Sequence, residues 1–111
     1  MQIITEGHKY SLKNFENNEV QTIQFIEKSP SLTSVYNEKT EKWHYPLYTV
    51  NDGTTNEEIL EMLIDRMNYL NNKLSSRENS IVITHLETAL LWLEKRTRDR
   101  IKRSVEGKHL V

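Results

Sequence analysis

The most constraining feature of this 111-residue chain is the apolar spacing in its second half. Ile59, Leu60, Leu63, Met67, Leu70 and Leu74 recur at three- and four-residue steps, which places them on one face of a helix. Thr55-Asn56-Glu57-Glu58 just before them has capping-box spacing, with Thr54 to Glu57 as an alternative frame. Ser75-Ser76-Arg77-Glu78 repeats the capping signal and opens a second, longer helix from about Arg77 to about Val105. Its apolar positions are Ile81, Val82, Leu86, Ala89, Leu90 and Leu93, continued at four-residue steps through Thr97, Ile101 and Val105. Gly107 can supply the left-handed stop. Helices joined by so short a connection pack antiparallel. The longer seam extends past what a partner helix of about 20 residues can cover, and a chain this small buries a modest share of its surface, so both features favour self-association.

The first half carries strand signals. Ile3 and Ile4 are β-branched, Gly7-His8 can turn the chain, and Tyr10 and Leu12 alternate with Ser11 and Lys13. After a turn at Asn14 and Asn17-Asn18, residues 20–28 form the strongest strand segment, and Pro30 ends it. Residues 34–36 and 43–50 suit a hairpin around Asn37-Glu38-Lys39-Thr40, with Pro46 requiring an edge position or a bulge. Asn51-Asp52-Gly53 closes the region as a turn. The expected fold class is therefore α+β. A small N-terminal antiparallel β-sheet region (1–53) precedes a two-helix antiparallel hairpin that oligomerises (54–111), all within one domain (1–111).

Composition removes several chemistries. With no Cys there are no disulfides, thiolate ligands or cysteine nucleophiles. His8, His44, His85 and His109 lack metal-ligand spacing, and His85 sits mid-helix beside core positions as a structural histidine would. Three Gly residues leave no phosphate-cradling loop. Glu57-Glu58 is explained by capping. The reading is a non-enzyme with no cofactor and no metal. The N-terminus lacks signal-peptide regions, and no apolar run approaches the roughly 20 residues that span a bilayer, so no membrane association and a cytoplasmic location are expected.

The net charge of −1 conceals an asymmetry. Residues 95–111 hold seven basic and two acidic residues, whereas residues 54–94 hold three basic and seven acidic. A helix dipole favours cations over only one turn, but here they run from Lys95 to Arg103. Trp92, Arg96, Arg100 and Arg103 share a stripe beside the apolar seam, so the seam can bury against a partner while the arginines face an anion. A surface network, Asp99 with Arg103 or Arg103 with Glu106, is the plainer alternative, but the acids are too few to pair fully. Two further residues keep two readings each. Tyr69, at the margin of the first helix's apolar stripe, packs in the core or stacks on a base. Asn79 caps the second helix or binds a base edge or ribose. A small nucleic-acid-binding protein using the Arg96–Arg103 helix is the competing reading, and the net charge opposes it because such domains are usually basic overall.

Several stretches resemble a known family. They are Arg77-Glu78-Asn79, Leu86-Glu87-x-Ala89-Leu90-x-Trp92-Leu93, Arg96-Thr97-Arg98-Asp99-Arg100 and Val105-Glu106-Gly107-Lys108-His109, and in the first half Tyr10–Glu16 and Ile23–Glu27. Together they resemble the phage Thoeris anti-defence sponge family (first type), related to the anti-CBASS cyclic-nucleotide sponge (second type). The likeness is specific over about residues 54–109 and weaker over 1–28.

The resemblance implies a phage-encoded protein of the host cytoplasm. Such a protein sequesters glycocyclic ADP-ribose made by TIR-domain enzymes, without cleaving it, and binds cyclic di- and trinucleotides, as a homo-oligomer, a hexamer. It implies no DNA partner. Carried over residue by residue, it makes Tyr69 the adenine-stacking ring, Asn79 a polar contact, and Arg96 a phosphate ligand, with Arg100 beside it. Many members have Phe at the position of Tyr69. Some use an Arg from the strand half; no Arg precedes Arg66 here, so Lys28 is the substitute, and it lacks the bidentate fork. A second nucleotide site would use Arg103, Gly107 and Lys108, the last standing where the anti-CBASS relative has Thr.

Overall fold

The computed structural model describes residues 1–104; Val105, Glu106, Gly107, Lys108 and His109 lie outside the described residues, and so do the expectations placed on them. Among the described residues, seven short strands precede two helices, an α+β order. The strands are β1 (Gln2–Thr5), β2 (Lys9–Lys13), β3 (Val20–Gln24), β4 (Glu27–Pro30), β5 (Val35–Asn37), β6 (Lys42–His44) and β7 (Leu47–Asn51). The helices are α1 (Asn56–Lys73) and α2 (Arg77–Ser104). The chain divides into two units, one of residues 1–37 and 42–55, the other of residues 38–41 and 56 onward.

In the strand unit, β1, β2 and β3 form an antiparallel sheet in that order, with Tyr10 opposite both Ile3 and Ile23. Gly7 turns β1 into β2 at φ 77°, a conformation that a residue without Cβ adopts freely. Asn14 and the Asn17 carboxamide hold the next turn: Asn17 Oδ1 accepts from Asn14 Nδ2 at 3.1 Å and from the Glu19 amide at 2.9 Å.

The single strand expected over 20–28 is instead two strands in different sheets. At the break, Phe25 forms an isolated parallel bridge with Thr54, and Gln24 O accepts from Thr54 N at 2.9 Å. A partner thirty residues away thus bends the segment. Phe25 there meets Tyr10 edge to face at 5.8 Å. Pro30 ends the second of these strands, as its last residue, paired with Leu47.

Likewise the expected strand over 43–50 splits into β6 and β7 around Tyr45-Pro46. Proline has no N–H to give a ladder, so it stands between the two sheets, and its carbonyl accepts from Ser31 N at 2.8 Å. The β5–β6 turn runs through Glu41 at φ 55°, one residue later than the Asn37-Glu38-Lys39-Thr40 centre read from sequence. Tyr36 and Trp43 pair across this hairpin with ring centroids 5.5 Å apart.

In the helical unit, α1 begins after Thr55, which makes Thr55 the N-cap and Glu58 the third helical residue, the first of the two capping frames. α2 is capped by Ser76, whose Oγ accepts from Asn79 N at 3.0 Å. Asn71 locks the connection: its Oδ1 accepts from Ser76 N at 3.1 Å, and its Nδ2 donates to Ser80 Oγ at 3.4 Å.

Among the described residues Ile83 is the sole buried apolar side chain, 9% exposed. Ile59, Leu60, Ile64, Met67, Leu70, Leu86, Leu90 and Leu93 are half-buried along the two helices. Ile81 and Val82, read from sequence as core, are more exposed, and Leu74 lies past the end of α1 in solvent. The 28 residues of α2 exceed the 18 of α1 by ten, so about 15 Å of α2 runs on without cover from α1. The four-residue seam drifts outward there, leaving Thr97 and Ile101 exposed.

Candidate functional site

Tyr69 and Asn79 share the apex of the hairpin. Tyr69 stands four residues before the end of α1, and Asn79 is the third residue of α2. Both therefore lie within about 6 Å of the connecting turn along the helix axes. Tyr69 is 58% exposed, which removes the core-packing alternative within one chain. Lys73 holds its ammonium 5.4 Å from the Tyr69 ring centroid. Asn79 is half-buried and does not cap the helix with its side chain; its backbone N–H is the one that Ser76 receives. Among the described residues its carboxamide makes no hydrogen bond, which leaves it available to a ligand.

The arginines occupy the other end. Arg96 is exposed and Arg100 half-buried. Arg103 is exposed, with Nε donating to the Asp99 carbonyl at 3.4 Å. At 100° per residue, Arg96, Arg100 and Arg103 fall within about 60° of one another and continue the line of Trp92, itself 66% exposed.

The acid in this stretch is engaged differently from the sequence-based expectation. Asp99 pairs with Lys95 at 2.9 Å, not with Arg103. The Lys95 hydrogen bond, outweighing slight desolvation and helped by the charges of Lys95, Arg103 and Lys102, holds the Asp99 carboxyl below its ordinary value. Arg96, Arg98 and Arg100 are left without an ion pair among the described residues.

One chain does not bring the two groups together. Asn79 and Arg96 are 17 residues apart on one uninterrupted helix, about 26 Å. A nucleotide that stacks on Tyr69 and bonds Asn79 cannot reach Arg96 of the same chain. Lys28 belongs to the strand unit, exposed on β4 opposite Thr49. Gly107 and Lys108 lie outside the described residues.

Residues 36–98 match the sequence model of the Acb2/Tad1 hairpin domain. The chain belongs to that family. The matched span runs from Tyr36 within β5 through β6, β7 and α1 to Arg98 of α2, so it includes Tyr69, Asn79 and Arg96. A curated relative, Thoeris anti-defense 1 of Bacillus phage SBSphiJ7, is 48% identical over 59 residues. That alignment takes in 52% of this chain and 42% of the relative, so less than half of the relative's length is represented. Among the described residues no group of three or more His, Asp or Glu could hold a metal ion, and no helix is long and apolar enough to cross a membrane.

Lys73, which sequence reasoning did not select, is the additional residue beside this site. Its signal was present in the four-residue spacing from Tyr69.

Proposed function

We propose that this protein is a phage-encoded sponge that sequesters a cyclic nucleotide immune signal, glycocyclic ADP-ribose made by TIR-domain enzymes, and thereby blocks anti-phage defence in the host cytoplasm. The observation that carries this reading is the pairing of an exposed stacking ring and an unbonded carboxamide at one end of the hairpin with an unpaired arginine row at the other. The family assignment, and the relative's name as a Thoeris anti-defence protein, support it.

Binding requires two copies, a consequence of the 26 Å separation. Tyr69 stacks on the adenine and Asn79 bonds a polar edge, while Arg96 and Arg100 of a second copy take the phosphates. Guanidinium suits that task because its planar fork matches phosphate oxygens. The site asks for no general base, and the ligand leaves as it entered. The assembly is a homo-oligomer, a hexamer in this reading. Arg103, with Gly107 and Lys108, forms a second site for cyclic oligonucleotides, and Lys28 is the contact from the strand half.

The test is native mass spectrometry of the full chain after incubation with the TIR-enzyme product, followed by heat release. The expected result is an oligomer carrying ligand that is recovered intact. Arg96→Ala should weaken binding about 10- to 100-fold, the worth of a charged hydrogen bond. Tyr69→Ala should also weaken binding, and Tyr69→Phe should bind like the parent. A cleaved product would make the protein an enzyme. Loss of duplex DNA binding in Arg96→Ala, with small-molecule binding intact, would make it a nucleic-acid binder.

A further inference from the structure

The basic helix has two sides, and the proposed ligand uses one. Lys95, Arg98 and Lys102 follow one another at three- and four-residue steps, about 80–160° around the helix from Arg96, Arg100 and Arg103. Toward the N-terminus the same side of α2 continues through Leu91, Glu94, Thr88 and Glu87. This stretch and α1 enclose an open groove of about 690 Å³. Glu61 and Asp65 stand on its α1 side, with Ile64 and Leu90 also lining it. Leu91 is 64% exposed, so this helix face has no cover within the chain.

Its hydrogen-bonding character is dominated by acceptors, the exception being Asn68, whose Nδ2 donates to the Ile64 carbonyl at 3.0 Å and keeps a second N–H. Thr84 Oγ1 donates to the Ser80 carbonyl at 3.1 Å, and Thr88 Oγ1 donates to the Thr84 carbonyl at 2.8 Å. Each hydroxyl has therefore committed its proton and can only accept from a partner. The carboxylates only accept as well, and among the described residues Glu61, Asp65, Glu87 and Glu94 make no ion pair. The complementary surface must be a row of donors with apolar stems.

Such a row lies on the same helix at matching spacing. Glu87 and Glu94 are seven residues apart, and so are Lys95 and Lys102. We infer that the α1–α2 groove docks the basic end of α2 from a second copy, running antiparallel about a two-fold axis between Glu94 and Lys95. In that register Glu87 faces Lys102, Glu94 faces Lys95, and the Arg98 stem lies over Leu91, each contact occurring twice. Thr88 faces Ile101, which is 62% exposed in the single chain and gains cover. This interface is separate from the one that completes the ligand site, because it uses the opposite side of α2. Two distinct two-fold interfaces on one chain carry an assembly past the dimer. The inference rests on the oligomeric reading above and adds which surface extends it.

The experiment is sedimentation velocity of the full chain at low and high salt, with circular dichroism to verify helicity. Charge reversal in Glu87→Arg/Glu94→Arg should weaken the larger assembly on the order of 100-fold, because like charges then face each other. The parent should dissociate similarly at high salt. Adding Lys95→Glu and Lys102→Glu should restore the parent assembly. An unchanged assembly in the helical double variant, or no recovery in the quadruple variant, overturns the inference. Ligand binding in the double variant keeps the two proposals apart: a smaller particle that still retains the TIR-enzyme product supports both, and an undiminished particle that retains it refutes this one alone.

Discussion

Ile83→Ala tests the packing of the hairpin. Ile83 is 9% exposed, so nearly all of its side chain is out of water. The change deletes three carbons, worth about 2.4 kcal/mol in transfer free energy at about 0.8 kcal/mol each. A cavity contribution adds to this, but the adjoining groove lets α1 and α2 close together, which keeps it small. The expected loss is therefore about 2–3 kcal/mol, the lower part of the range for such truncations. For a domain of this size that corresponds to about 10 °C in Tm. Ile81→Ala is the control: Ile81 is 42% exposed and should cost under about 1 kcal/mol. Both are measured by urea and thermal unfolding, at concentrations low enough that further dilution changes nothing. If Ile81→Ala cost as much as Ile83→Ala, α2 would present a different face to α1, and the groove and stripe assignments built on its phase would fall.

Three further predictions concern separate parts of the chain. Ser76→Ala removes the acceptor for Asn79 N and should cost about 1 kcal/mol by denaturant unfolding, with Ser76→Asp close to the parent. Asp99 should titrate below an ordinary aspartate in a carbon-detected NMR experiment, and Lys95→Met should return it toward the ordinary value. Because its folded pKa is lowered, the stabilisation from this pair is present above the unfolded Asp value and fades as pH drops through the folded one. Gly53→Ala should destabilise the strand unit by about 1–3 kcal/mol, because a Cβ there meets the Gln24 carbonyl oxygen and lies 2.6 Å from the Phe25 carbonyl carbon. Retained strand signal with an unchanged unfolding midpoint would refute it.

The helices were legible because local chemistry decides them. Thr55 and Ser76 cap them, and the apolar spacing that fixes a helix lies within four residues. The strands were legible as segments but not as sheets. Phe25 bends away to Thr54 and Pro46 divides β6 from β7, and both depend on partners far along the chain. Ile83 was missed because Ile81, Val82 and Ile83 are consecutive apolar residues, and a run of three carries no periodicity. Residue type left Tyr69 and Asn79 open between a structural and a binding role, and it was the family resemblance that singled them out together with Arg96. The 26 Å between Asn79 and Arg96 follows from their positions on one continuous helix once that helix is granted. The partner of Asp99 was misread because Lys95 and Arg103 are equally spaced from it, and spacing alone does not choose between them.

The unbroken run of α2 from Asn79 to Arg96 also makes the protein sensitive to chain length in a way that side-chain chemistry does not reveal. The helix is a ruler with a phase. One residue inserted between them moves Arg96 by only about 1.5 Å but turns it, together with Arg100 and Arg103, by about 100° relative to Asn79. Seven inserted residues lengthen the ruler by about 10 Å while restoring the phase to within about 20°. Point substitutions along this stretch are therefore milder events than single-residue indels, and functional variants in length should differ by whole turns.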